Sequence, residues 1–279
     1  MPVIIYTVVY GLNYALIALG FTLVFGVSKI LNLLYGSLYM TAAYMVYLFN
    51  STLGFNLIFS DVLSVIITIL IGVGFFLLYI RIARDQMSFL MSMFLSALLL
   101  QYIYSYFFGG QSGLAISGPV TSASISVLGV SVPESFVVSS MVSVVLISIF
   151  WIWIEKTGYG KEVRATANDP EMAQVFGINP WRITLAVFII STFLVSITSI
   201  LIVPSSVVTP TMWLDPFVVA FAVSIIAGLG KFRWIIPSAF ILSFSQVLTQ
   251  LILPYNMFNI VGFLIMIIIL LTRPVGLGG

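Results

Sequence analysis

Residues 161–182 read KEVRATANDPEMAQVFGINPWR. Extended back to Glu155, this segment of 28 residues holds eight of the 18 charged residues in a chain of 279: Glu155, Lys156, Lys161, Glu162, Arg164, Asp169, Glu171 and Arg182. The remainder is correspondingly apolar. The chain is 61% hydrophobic and 6% charged, with a mean hydropathy of +1.23, whereas a soluble domain carries about 25% charged residues. Uncharged runs cover 2–28, 30–60, 62–80, 86–133, 183–214 and 234–272. About 20 apolar residues suffice for one helical crossing of a bilayer, so several runs hold one and some hold two. A β-barrel would alternate polar and apolar positions instead. The charged stretch is therefore the main water-exposed piece of an all-α polytopic membrane protein.

Placing the breaks at turn chemistry predicts a transmembrane helical bundle of about nine crossings, within a range of eight to ten. The breaks are Asn50-Ser51 with Gly54, Gly109-Gly110 through Pro119, Pro204-Ser205, and Pro254-Tyr255-Asn256. The predicted crossings are 3–26, 30–50, 61–80, 87–108, 135–154, 182–203, 214–230, 234–252 and 257–272. No basic residue precedes Lys29, so the first run reads as a retained helix rather than a cleaved leader. With the N-terminus outside and the C-terminus cytoplasmic, all ten Lys and Arg residues fall on the cytoplasmic side. Asp61, Glu134 and Asp215 fall on the outer side. That distribution follows the positive-inside rule and predicts a multi-pass protein of the cell membrane, organised as one transmembrane domain over 1–279.

Several chemistries are excluded by residue type. The chain has no Cys and no His, which removes disulfides, thiolate nucleophiles and the usual zinc sites. No metal site or catalytic group is predicted, and a net charge of +2 carries no nucleic-acid signature. Gly228-Leu229-Gly230-Lys231 and Gly160-Lys161 lack the Ser or Thr of a phosphate loop, because Phe232 and Glu162 stand there. Gly110-Gln111-Ser112-Gly113 matches the pattern of an intramembrane serine protease, without the His that activates the nucleophile. No ionisable residue lies at the middle of a predicted span, which argues against a proton relay. Sodium coupling through carbonyls stays open.

Within 30–50, Asn32, Gly36, Tyr39, Ala43 and Tyr47 are spaced by four, three, four and four residues. On a helix they fall within about 80° of one another. The stripe reads either as the lining of a substrate route or as interhelical hydrogen bonding that holds the bundle together. Gly11, Ala15, Ala18 and Thr22 share one face of the first helix and read as close packing. Gln101, Gln246 and Gln250 are further polar positions in apolar helices.

The charged segment itself carries a sharp local signal. Asp169-Pro170 reads as an N-cap followed by Pro at the first helical position. Glu171 sits in the first turn, where the helix dipole favours an anion. Gly177 reads as the left-handed stop, and Asn179-Pro180 prevents continuation. A short helix is predicted at 170–176, about 10 Å long, with a second at 161–168. Met172, Val175, Phe176 and Ile178 supply apolar surface, and Ala173 permits close approach. Such a knob suits a groove on a soluble partner; an amphipathic loop lying on lipid headgroups has the same pattern.

Glu171-Met172-Ala173-Gln174-Val175-Phe176-Gly177 resembles the E-A-A-x-x-x-G coupling motif of ABC importer permeases, with Met for the first Ala. More widely, the chain resembles the branched-chain amino acid permeases of the LivH/LivM type. The matching stretches are Tyr14 to Gly20, Asn32 to Met40, Arg164 to Arg182, and Arg273 to Leu277. The family's N-x-A-H-G followed by an acid appears here as Asn32-Leu33-Leu34-Tyr35-Gly36-Ser37, with Tyr35 and Ser37 replacing the His and the acid. Its G-G-x-G-S-x-x-G-A region appears only partly, at Gly228-Leu229-Gly230. The resemblance implies a permease that carries branched-chain or related amino acids. Its implied partners are a second permease subunit, two cytoplasmic ATPase subunits that bind ATP and Mg, an extracellular substrate-binding protein, and the lipid bilayer. No cofactor belongs to this chain. The resemblance assigns ATPase coupling to Arg164, Ala165, Asp169, Pro170, Glu171, Ala173, Gly177 and Ile178. The candidate substrate-pathway residues are Asn32, Gly36, Tyr39 and Tyr47 from the stripe, with Tyr35 and Ser37 from the comparison with the family's motif. The competing reading is an ATP-independent channel or facilitator for small polar solutes such as urea or amides, separable by whether an ATPase co-purifies.

Overall fold

The computed structural model describes residues 2–82, 85–110, 113–115, 124–127, 130–228, 230–252, 264, 266–269, 271 and 277. Its long helices are α1 (Pro2–Ser28), α3 (Leu57–Ile82), α4 (Gln86–Phe107), α5 (Glu134–Lys156), α8 (Pro180–Ile202) and α10 (Ile235–Ile252). Five of these, and the stretch Phe232–Gln250 that contains most of α10, are long and apolar enough to cross a membrane. Shorter helices are α2 (Tyr35–Tyr47), α6 (Gly158–Asn168), α7 (Pro170–Val175) and α9 (Leu214–Ala227). Two small antiparallel ladders accompany the helices: β1 (Leu114–Ala115) pairs with β4 (Val207–Val208), and β2 (Ser124–Val127) with β3 (Val130–Pro133). The protein is an all-α, multi-pass membrane protein.

Two predicted crossings are shorter than expected. The run 30–50 forms a helix only from Tyr35, and after 13 residues it gives way to a π-helical turn at Leu48–Thr52. At 1.5 Å per residue α2 is about 20 Å long, against about 30 Å of hydrocarbon. The start is delayed because the backbone breaks at Lys29, whose φ of 56° is left-handed and rare for a residue with a side chain. Asn32 consequently lies in the turn before α2 and not on its stripe. Likewise 214–230 forms a helix of 14 residues. The predicted crossing 257–272 falls mostly outside the described residues, as do the ending Arg273 to Gly276 and Arg84.

The chain divides into two compact units: residues 1–29, 140–191 and 218–279, and residues 30–139 and 192–217. In the first unit α1 packs along α10. The small face predicted for α1 is what meets it: a Cβ on Gly11 would sit 3.0 Å from the Phe240 ring and from Ser243 Oγ. Ser243 donates to the Thr7 carbonyl at 3.0 Å. Further along, the hydroxyls of Thr22 and Ser224 lie 2.7 Å apart, and Ser143 donates to Asn13 Oδ1 at 3.2 Å. Without a hydrophobic force between helices in lipid, close approach and such polar pairs hold the bundle. Ala15, Leu16, Ala18, Leu19, Phe21 and Leu23 of α1 are fully buried.

In the second unit α2 packs against α3 and α4. The Tyr44 and Tyr104 rings stack at 4.7 Å, and Trp213 Nε1 donates to Gln101 Oε1 at 2.6 Å. That contact explains one of the glutamines in an apolar helix. Asp85 caps α4 by accepting from the Ser88 amide at 3.3 Å and from the Ser88 hydroxyl. The Ser88 side-chain hydrogen bond leads the causes that hold the Asp85 carboxyl below its ordinary pKa.

Candidate functional site

The corner after α5 is built by local hydrogen bonds. Thr157 Oγ1 donates to the Trp153 carbonyl at 2.6 Å and accepts from the Gly160 amide at 3.0 Å. This caps α6, which begins three residues earlier than the predicted 161. Arg164 Nη1 donates to the Ile154 carbonyl, tying α6 to the end of α5. Gly160, Val163 and Thr166 face inward, and α6 packs against α1 and α7. Ala165 is half-buried.

Asp169 then ends α6 and starts α7. Its Oδ1 accepts from the amides of Glu171 at 2.9 Å and Met172 at 3.0 Å, satisfying two of the free donors of a helix start. Pro170 occupies the first turn, where the missing N–H costs nothing. At the other end Gly177 takes φ 80°. Its amide donates to the Gln174 carbonyl at 2.9 Å, and the Ile178 amide donates to the Ala173 carbonyl at 3.0 Å. These are the paired bonds of a Schellman stop. The helix ends at Val175, one residue before the predicted 176, with Phe176 as its cap.

The result is a short helix capped at both ends. Ala173 faces inward at 3% exposure, while Val175 and Phe176 are 77% and 79% exposed. Met172 is half exposed, and Glu171 projects from the first turn. These exposed apolar side chains stand on a loop rich in charge.

The residues assigned to a substrate pathway are brought only partly together. Tyr35, Gly36, Ser37 and Tyr39 are buried on α2, and Tyr47 is half-buried at its end. Ser37 Oγ donates to the Leu34 carbonyl at 2.7 Å, and Ser199 Oγ donates to the Tyr39 carbonyl at 2.7 Å. Gly36 has no room for a side chain: a Cβ there would overlap the Trp213 carbonyl and lie 2.9 Å from Phe217 Cβ. Tyr47 meets Phe108 edge-on at 6.0 Å. Asn32 differs from all of these, being 1% exposed with neither amide atom hydrogen-bonded. The Tyr44–Tyr104 stack was not foreseen, because Tyr44 lies off the stripe and its partner is 60 residues away. Among the described residues no three His, Cys, Asp or Glu side chains gather as a metal site.

Residues 3–270 match the family described as the permease component of the branched-chain amino acid transport system. The chain belongs to this family. Similar members include the high-affinity branched-chain amino acid transport system permease protein LivH of Escherichia coli (strain K12), 24% identical over 287 residues covering 98% of this chain and 93% of the relative. The LivH protein of Salmonella typhimurium is 25% identical over 289 residues, with the same coverage. The permease protein BraD of Pseudomonas aeruginosa is 23% identical over 286 residues, covering 96% and 92%. The resemblance carried by Tyr14 to Gly20, Asn32 to Met40 and Arg164 to Arg182 thus extends along nearly the whole chain. As a permease component, the protein provides a membrane path and no catalytic chemistry.

Proposed function

We propose that the protein is the membrane subunit of an ABC importer that carries branched-chain or related amino acids across the cell membrane. The observation that carries this reading is the family match over 3–270, which runs through both compact units and fits one permease domain over 1–279. In this reading a second permease, two cytoplasmic ATPase subunits and an extracellular substrate-binding protein complete the transporter. The N-terminus is outside, the C-terminus is cytoplasmic, and nine crossings place every Lys and Arg inside.

Coupling is assigned to α7. Its double-capped geometry and the exposed Val175 and Phe176 support a knob seated in an ATPase groove. Closure of the ATPase pair would push α7, and through Arg164 and Thr157 the corner of α5. The bundle then needs only two packings of similar energy, biased by that push. The buried Asn32 amide supports a place on the substrate route, since a buried amide without partners is costly in the absence of a ligand or water.

Uptake of radiolabelled leucine by cells carrying the whole transporter tests the reading. Glu171→Lys is expected to abolish ATP-driven uptake while the complex still reaches the membrane. Undiminished uptake in that variant would remove α7 from coupling. Conduction by the isolated chain, indifferent to any ATPase, would favour a facilitator instead.

A further inference from the structure

The end of α5, α6 and the turn at 230–234 border an open cavity of about 370 Å³. Three cations line it, Arg164, Lys231 and Arg233, together with Trp151, Phe232 and Trp234. Glu155 is the carboxylate on the lining. The Phe232 ring lies 5.9 Å from Phe150 and Arg164 is oriented by the Ile154 carbonyl, while Lys231, Arg233 and Trp234 are exposed. One such bond leaves most of a guanidinium's five donors free. Among the described residues none of the three cations makes an ion pair.

The position of the cavity selects the ligand. The surface of α5 beside it is apolar and open, with Val144 47% and Ile152 55% exposed, as a lipid-facing helix should be. Lys156 follows directly. Tryptophans beside Lys and Arg at the end of a spanning helix mark the level of the headgroups. Arg and Lys clustered in a pocket between spanning helices suit phosphate, which a guanidinium grips through two parallel bonds. The aromatic walls suit the glycerol and upper acyl carbons, and basic pockets of this kind hold anionic lipid headgroups.

We propose that this cavity binds the phosphate headgroup of an anionic phospholipid, with the acyl chains lying along the exposed face of α5. The lipid joins α5, α6 and the 230–234 turn through one phosphate, and so stiffens the base on which α7 sits. The inference does not rest on the identity of the transported solute or on the coupling role of α7.

The test uses the full chain, delipidated in mild detergent and titrated in native mass spectrometry. Phosphatidylglycerol is expected to bind one site on the order of tenfold more tightly than phosphatidylcholine. The double variant Lys231→Gln with Arg233→Gln should lose that preference, and inorganic phosphate should leave the bound lipid in place. Equal binding of the two lipids, or a preference that survives in the double variant, overturns the proposal. Displacement by inorganic phosphate also overturns it, assigning the cavity to a soluble anion. A second measurement needs no variant: phosphatidylglycerol with brominated chains should quench the tryptophan fluorescence of the native chain more than brominated phosphatidylcholine does. Equal quenching counts against a headgroup site.

Discussion

The knob at α7 and the start of α2 make opposite use of glycine. Gly177 has φ 80° and no atom within 4 Å of an added Cβ. Gly36 has an ordinary helical backbone and a neighbour's carbonyl where its Cβ would stand. The first glycine answers to its own dihedral angle, the second to Trp213, 177 residues away in sequence. One region is shaped by bonds among adjacent residues and exposed. The other is shaped by tertiary packing and closed.

Substituting both glycines is the strongest way to break that comparison. Gly36→Val should prevent accumulation of folded protein, since the Trp213 backbone cannot yield as a flexible side chain would; overpacking of this kind costs about 1–3 kcal/mol or more. Membrane yield and detergent thermal unfolding read the effect. Gly177→Val carries backbone strain of about 1–3 kcal/mol, confined to a loop end. It should leave yield near normal and lower uptake by more than about tenfold. A folded, fully active Gly36→Val would show that α2 can shift away from Trp213.

Asn32→Leu comes next. Removing two buried, unpaired polar atoms should leave thermal stability unchanged or raise it, within about 1–3 kcal/mol. Uptake should fall through a higher KM if the amide meets the substrate. A fall in stability with unchanged uptake would make Asn32 a packing residue. Thr22→Val should have the smallest effect, about 0.6 kcal/mol from loss of the Thr22–Ser224 contact, with uptake retained. A large loss of uptake there would place that contact in the conformational cycle.

The ends of α7 were legible because each signal acts within a few residues. An Asp before Pro, followed by Gly, satisfies the first amides and last carbonyls of a helix wherever it occurs. The small face of α1 was legible for a related reason, since Gly11 and Thr22 repeat at helical spacing and their partners on α9 and α10 needed no naming. The start of α2 was not. Nothing in the apolar run 30–50 announces a left-handed Lys29, and the stripe was therefore extended over Asn32 as if the helix began earlier. Gln101 stood out as a polar residue in an oily helix, yet only the folded chain supplies Trp213 as its donor.

From the sequence alone follow the membrane, the all-α class, the family and the architecture of the charged loop. Each depends on hydropathy summed over a span or on hydrogen bonds between near neighbours. Tertiary structure decided where α2 begins, why Gly36 admits no side chain, and that Arg164, Lys231 and Arg233 share one cavity with Trp151 and Trp234. Those outcomes depend on which apolar surface lies against which, and among so many interchangeable apolar residues that choice is settled by shape.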